Sequence, residues 1–111
     1  MDILERKLDE IQIVSVGGRI DAYSSNDIQE RLNSLIDANR VKIIINFTDL
    51  EYISSSGLRV LLAALKKCRK VEGDIRLAAM RTYVKEVFDI AGFTQVFKIF
   101  EQEEEAINSF K

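Results

Sequence analysis

The sequence predicts one α/β domain in which helices cross between the strands of a single mixed sheet. Residues 41–47 are β-branched and almost continuously apolar, which is typical of a central strand covered on both faces. Residues 58–68 place leucines at spacings of three and four, which indicates an amphipathic helix. The 111 residues suffice for one domain. The order β-β-α-β-α-β-α-β-α predicts about five strands, parallel at the centre, packed by about four helices.

The first third of the chain predicts a hairpin followed by a helix. Apolar residues alternate through residues 11–16, as in a half-buried strand, and residues 3–8 form the strand before it. Asp9-Glu10 lies between them as the hairpin turn, and Gly17-Gly18 is expected to end the second strand in a turn. Ser24 and the polar residues after it offer N-caps for a first helix at roughly residues 25–38.

The rest of the chain alternates helices and strands. Cations near the end of the second helix suit its negative pole and indicate a solvated terminus, with a binding patch as the alternative. Gly73 is expected to stop that helix, and residues 75–79 indicate a short strand. A third helix at residues 84–91 should end at Gly92, before a last strand near residues 96–100. The acidic residues 101–105 suit the first turn of a final helix.

The composition excludes several classes of function. Sixteen Lys and Arg against eighteen Asp and Glu leave a net charge of -2, which disfavours nucleic acid as a partner. No histidine is present, and the single cysteine cannot build a thiolate site, so we expect neither a metal nor histidine-based catalysis. Neither a secretory apolar region nor a run approaching the roughly 18 residues of a membrane span is apparent. We therefore expect a cytoplasmic protein with no membrane contact.

The most unusual feature is the triple serine at residues 54–56, which immediately precedes the leucine-rich helix. A serine there caps the helix by accepting from free backbone N–H groups, although one serine suffices for that. The same N–H groups and the helix dipole also favour an added phosphate. A nucleophilic serine would need a lysine or carboxylate base, and none is adjacent in the sequence. Position alone leaves capping and phosphorylation both open.

Three segments of the chain resemble a known protein family. The segment Ile-Ile-Ile-Asn-Phe-Thr-Asp-Leu-Glu-Tyr-Ile-Ser-Ser-Ser-Gly-Leu at residues 43–58 closely resembles the signature of STAS domains, specifically the stand-alone bacterial anti-sigma-factor antagonists. Residues 18–21, Gly-Arg-Ile-Asp, look like the family's Gly-Glu-Leu-Asp, and residues 84–93 look like its late helix and closing glycine. On this likeness the chain is identified as a member of the family, with one STAS-like domain over residues 1–111.

The resemblance implies a phosphorylation switch that regulates transcription. Unphosphorylated antagonists bind an anti-sigma factor, often itself a serine kinase, and thereby free a sigma factor. The kinase holds the ATP and phosphorylates the serine that follows the motif's Asp, which is Ser55 here, and a PP2C-type phosphatase restores the binding form. The resemblance therefore implies a protein that is not an enzyme, needs no cofactor, and is a monomer until it binds its partner.

Three positions depart from the family pattern: Ser54 stands where Asp is usual, Arg19 where Glu is usual, and Thr82 where proline is common. Ser54 and Ser56 are alternative phosphoacceptors or helix caps. We expect the partner-binding residues to come from the first loop and from the start of the second helix, and they are Asp21, Tyr23, Ser24, Ser56, Gly57 and Arg59.

Two other functions remain open from the sequence. One is a STAS adaptor that works without phosphorylation in a signalling or lipid-transport assembly. The other is a small enzyme or ligand-binding protein that uses the serine cluster with lysine or aspartate partners.

Overall fold

The computed structural model describes all of residues 1–111. The strands are β1 (Asp2–Leu8), β2 (Ile11–Ile20), β3 (Lys42–Asn46), β4 (Leu50–Ile53), β5 (Asp74–Ala78) and β6 (Ile99–Phe100). The helices are α1 (Ser25–Asp37), α2 (Ser55–Lys70), α3 (Thr82–Ile90) and α4 (Glu103–Ser109), with a short 3-10 turn at Phe93–Gln95. None of these helices combines the length and apolar character that a membrane span requires.

The strands form one mixed sheet in the order β1-β2-β3-β5-β6. The β1–β2 hairpin is antiparallel, whereas β3, β5 and β6 join it in parallel, so the predicted fold class is confirmed. Asp9, with a φ of 55°, makes the hairpin turn. The last strand is shorter than expected, because the Val96 and Phe97 backbone N–H groups donate to the Phe93 carbonyl of a 3-10 turn and the Phe97 side chain is buried.

β2 does not end at Gly17-Gly18, which corrects the sequence prediction. The strand continues to Ile20: it pairs with β3 up to Ser15 and with β4 from Gly18 onward, and the pairing with β4 has a register shift between Gly18 and Arg19. Gly18 has a φ of 84°, a conformation that glycine adopts without the strain a Cβ would cause. The two glycines therefore create an irregularity within a long strand.

β4 is the sixth strand, in the segment between the central strand and the triple serine, where the sequence predicted no strand. Leu50 and Ile53 are buried, but Glu51 and Tyr52 between them are both exposed. This pattern lacks the strict alternation that predicts a strand. Pairing with the end of β2 supplies the backbone hydrogen bonds that stabilise it.

The two faces of the sheet carry separate apolar clusters. The larger cluster, of 22 buried residues, packs α1, α2 and α3 against one face and includes Ile43 and Ile45 of β3. Ile44, which points the other way, belongs to a smaller cluster of five that includes Ala106 of α4. The predicted acidic helix start is present, with Glu105 accepting from the Gln102 backbone N–H at 3.1 Å. Because β2, β3, β4, β5 and β6 run parallel, their carboxyl ends lie together at one edge of the domain.

Candidate functional site

The serine segment lies where β2 and β4 end side by side. Ile20 and Ile53 are register partners in the parallel pair, and the Ser54 backbone N–H donates to the Ile20 carbonyl at 2.8 Å. This pairing places the loop at residues 21–24 next to the start of α2. We call this end of the domain, formed by residues 19–24 and 52–59, the switch face. The two sequence-predicted groups of partner-binding residues therefore meet on one surface.

The three serines have different environments. Ser54 is the N-cap of α2, and its Oγ accepts from the Gly57 N–H at 3.1 Å. Ser56 is half-buried, and its Oγ accepts from the Arg59 guanidinium at 3.4 Å. Ser55 is the first residue of the helix; it is exposed, and its hydroxyl makes no side-chain hydrogen bond. Capping is thus done by Ser54, which leaves the Ser55 hydroxyl free.

Ser54 keeps the structural role that an aspartate at the same position would have. Serine and aspartate are comparably good N-caps, because each accepts from a free N–H of the first turn. The departure from the family pattern therefore retains the capping hydrogen bond. It removes one negative charge from the side of Ser55.

Gly57 is buried at the start of α2, and the direct partner contact expected for it from the sequence stays a prediction. A Cβ at this position would lie 2.7 Å from Ile20 Cγ2 and 2.9 Å from Ile53 Cγ1. Both isoleucines belong to the main core. A glycine here lets the first turn of α2 approach the ends of β2 and β4 closely, so its role is to position the serines.

The loop at residues 21–24 is held by its own side chains. Asp21 Oδ1 accepts from the backbone N–H groups of Tyr23 at 3.0 Å and Ser24 at 2.8 Å. These bonds, of which the Ser24 backbone bond has the largest effect, lower the pKa of Asp21. Ser24 Oγ accepts from the Asp21 N–H and lies 2.9 Å from the Arg19 carbonyl.

The same loop presents Tyr23 to solvent. Its side chain is 89% exposed, which is unusual for a large aromatic residue. Asp21 and Ser24 therefore shape the loop, and Tyr23 is its exposed aromatic side chain.

Two features at this end of the domain were not predicted from the sequence. The Arg19 guanidinium stacks over the Tyr52 ring, 4.3 Å from its centroid. Arg81, before α3, donates to the Thr48 carbonyl at 3.2 Å and to the Tyr83 hydroxyl at 3.2 Å, and the latter bond is the main cause of its raised pKa. The Arg19 stack and the bond from Arg81 to Thr48 join segments that are distant in the chain, so local patterns carry no signal for them.

The switch face offers hydroxyl, aromatic and guanidinium groups for recognition. No group of three or more metal-ligating side chains gathers anywhere in the chain. The single cysteine, Cys68, is buried away from this face and donates to the Val41 carbonyl at 3.3 Å. Burial raises the pKa of its thiol to about 11, with the Asp74 charge contributing.

Sequence comparisons identify related proteins. Residues 3–106 match the family model described as the STAS domain. A Bordetella bronchiseptica protein described as a candidate anti-sigma factor antagonist, BtrV, is 31% identical over 111 residues, which cover 100% of this chain and 96% of that protein. The anti-sigma-B factor antagonist of Listeria monocytogenes is 30% identical over 99 residues, or 89% of this chain and 86% of that protein.

Solved structures share the fold at low sequence identity. A candidate anti-sigma factor antagonist from Thermotoga maritima has a TM-score of 0.91 at 18% identity, over 96% of this chain and 92% of its own. The anti-sigma factor antagonist SpoIIAA in its unphosphorylated form has a TM-score of 0.86 at 22% identity, over 98% of this chain and 96% of its own. The phosphorylated form of SpoIIAA from Bacillus has a TM-score of 0.78 at 22% identity, over 99% of this chain and 100% of its own.

Proposed function

The chain belongs to the STAS-domain family, and on that premise we propose that it acts as an anti-sigma-factor antagonist. It binds an anti-sigma factor through the switch face and so releases a sigma factor. The Bordetella and Listeria relatives, which align over most of both chains, are described by this function. The protein works in the cytoplasm as a binding module, without catalysis, a cofactor, DNA or a membrane.

The observation that carries the proposal is the free, exposed hydroxyl of Ser55 at the start of α2. We propose that the partner is a serine kinase that transfers the γ-phosphoryl group of ATP to Ser55 Oγ. A new O–P bond forms as the bond between the β- and γ-phosphates breaks, ADP leaves, and the hydroxyl proton passes to a base of the kinase. A PP2C-type phosphatase then hydrolyses the phosphoserine and restores the hydroxyl.

The fold can accept this modification without rearrangement. The first turn of a helix has N–H groups without intrahelical acceptors, and these together with the helix dipole favour a phosphate. Ser54 keeps its own bond to the Gly57 N–H, so capping does not depend on the Ser55 hydroxyl. The change is therefore confined to the charge and bulk of the switch face.

The added charge is large enough to dissociate a complex. A phosphoserine contributes about -1.5 to -2 charges, which changes the net charge of -2 to about -4. Weakening a complex 100-fold to 1,000-fold requires about 2.7–4.1 kcal/mol. A poorly matched charge at the centre of an interface is sufficient for an effect of that size.

Affinity capture from a lysate of the source cells tests the proposal. The baits are the wild type, Ser55→Asp and Ser55→Ala, with Ser34→Asp as a control that adds the same charge at an exposed serine on α1. Mass spectrometry identifies the captured proteins and maps phosphate on the wild-type bait. We expect all baits except Ser55→Asp to retain a serine kinase of the anti-sigma type, and the wild type to return phosphorylated at Ser55.

The alternative function is a phosphorylation-independent STAS adaptor in a signalling or lipid-transport assembly. It is favoured by Ser54, which replaces the carboxylate that a kinase would meet beside the acceptor. In that case every bait retains the same non-kinase protein and Ser55 carries no phosphate. Phosphate mapped to Ser54 or Ser56 would contradict the assignment of the acceptor while leaving the antagonist function in place.

A further inference from the structure

Arg19 is the one residue of the switch face whose guanidinium lies over an aromatic ring. Its Cζ lies 4.3 Å from the centroid of the Tyr52 ring, and both residues are exposed. Arg19 takes part in none of the six ion pairs of the structure and donates no side-chain hydrogen bond. Its position is therefore held by a ring, while its charge is unmatched within the protein.

The carboxylates near Arg19 in the sequence do not pair with its guanidinium. Arg19 and Tyr52 are register partners, so their side chains share a face of the β2–β4 pair. Glu51 forms no ion pair with Arg19, and its charge contributes to the raised pKa of Arg81. Asp21 is two residues from Arg19, but its Oδ1 is occupied by backbone N–H groups of its own loop.

We propose that Arg19, held by Tyr52, determines partner specificity by binding a carboxylate on the anti-sigma factor. This inference rests on the proposed function and specifies the partner's chemistry. The family pattern has a glutamate where this chain has Arg19, and a glutamate calls for a cation in the same place on the partner. At this position the chain therefore presents a positive charge where the family pattern presents a negative one.

The geometry suits this recognition. A guanidinium lies flat on an aromatic face and keeps the N–H groups at its edge available, and two of them match the oxygens of a carboxylate. Because the ring already restricts the side chain, less conformational entropy is lost when the partner binds. Tyrosine and arginine are also among the residue types most enriched at the energetic centres of interfaces.

Binding measurements with the anti-sigma factor recovered by the capture experiment test the inference. Purified partner is titrated with the wild type, Arg19→Gln, Arg19→Glu, Tyr52→Leu and Tyr52→Phe. The matched control is Arg40→Gln, which removes the same charge from an exposed arginine at the opposite end of the sheet. Thermal melts verify that each variant is folded, as expected for substitutions of exposed side chains.

We expect Kd to rise about tenfold for Arg19→Gln and about 100-fold or more for Arg19→Glu, whose effect should fall at high salt. Tyr52→Leu should weaken binding about fivefold, because the guanidinium loses its support, whereas Tyr52→Phe retains the ring and binds like the wild type. Arg40→Gln should stay within about twofold of the wild type. Changing one partner acid to lysine should restore binding to Arg19→Glu and weaken binding to the wild type.

The outcomes separate the two proposals. If Arg19→Glu binds like the wild type while Ser55→Asp does not bind, the role of Arg19 is overturned and the antagonist function stands. If Arg19→Gln and Arg40→Gln weaken binding equally, the effect is general electrostatics, and the specific contact is also overturned. If the wild type captures no anti-sigma factor, both proposals fall.

Discussion

Replacing Ser54 with alanine removes the side-chain acceptor that caps α2. The Ser54 Oγ bond to the Gly57 N–H, at 3.1 Å, is the only side-chain cap at the start of this 16-residue helix. Loss of such a cap costs about 0.5–2 kcal/mol, typically about 1. For a domain of this size, 1 kcal/mol corresponds to roughly 4 °C in Tm. We therefore expect Ser54→Ala to lower the free energy of unfolding by about 1 kcal/mol.

Guanidinium unfolding followed by circular dichroism measures this loss, and the serine segment supplies its own controls. Ser55→Ala leaves the cap intact, so its free energy of unfolding should stay within about 0.5 kcal/mol of the wild type. Ser54→Asp provides another good acceptor and should restore the wild-type value. The slope of the unfolding curves should be unchanged, because the surface exposed on unfolding is the same.

Two results would refute the assignment of the cap. If Ser55→Ala destabilised the protein as much as Ser54→Ala, the serines would share the capping role and Ser55 would not be free for modification. If Ser54→Asp failed to restore stability, then the position would require something other than an N-cap acceptor, and the equivalence of serine with the family's aspartate would be wrong.

Three further predictions concern the surroundings of the site. Gly57→Ala should destabilise the protein by about 1–2 kcal/mol in the same unfolding assay, because the added Cβ clashes with two core isoleucines; unchanged stability would show that α2 shifts freely. The lowered pKa of Asp21 stabilises the folded state above about pH 4, and this contribution is lost as the pH falls through the lowered value. Wild type and Asp21→Asn should therefore converge in stability below about pH 4, and a constant difference would contradict this. Cys68, with a thiol pKa raised to about 11, should react with iodoacetamide at pH 8 far more slowly in the folded than in the unfolded protein; equal rates would contradict its burial.

Much of the fold was predictable because its signals are local. The apolar run of β3 and the leucine spacing of α2 each reflect burial on one or two faces, which the chain displays residue by residue. β4 and the continuation of β2 past Gly18 were not predictable in this way. Both depend on the two segments pairing with each other, and that pairing overrides the pattern of exposed residues in β4 and the glycine signal in β2.

The candidate site, like the fold, was predictable from the sequence only in part. Residue type and position in the sequence singled out the triple serine and the start of the helix after it, and the resemblance to the family added the loop containing Tyr23. Only the tertiary structure decided which serine caps α2, that Gly57 is buried, and that Arg19 lies on Tyr52. Those facts depend on distances between segments that are far apart in the chain, and such distances exist only after β2 and β4 have paired and α2 has packed against them.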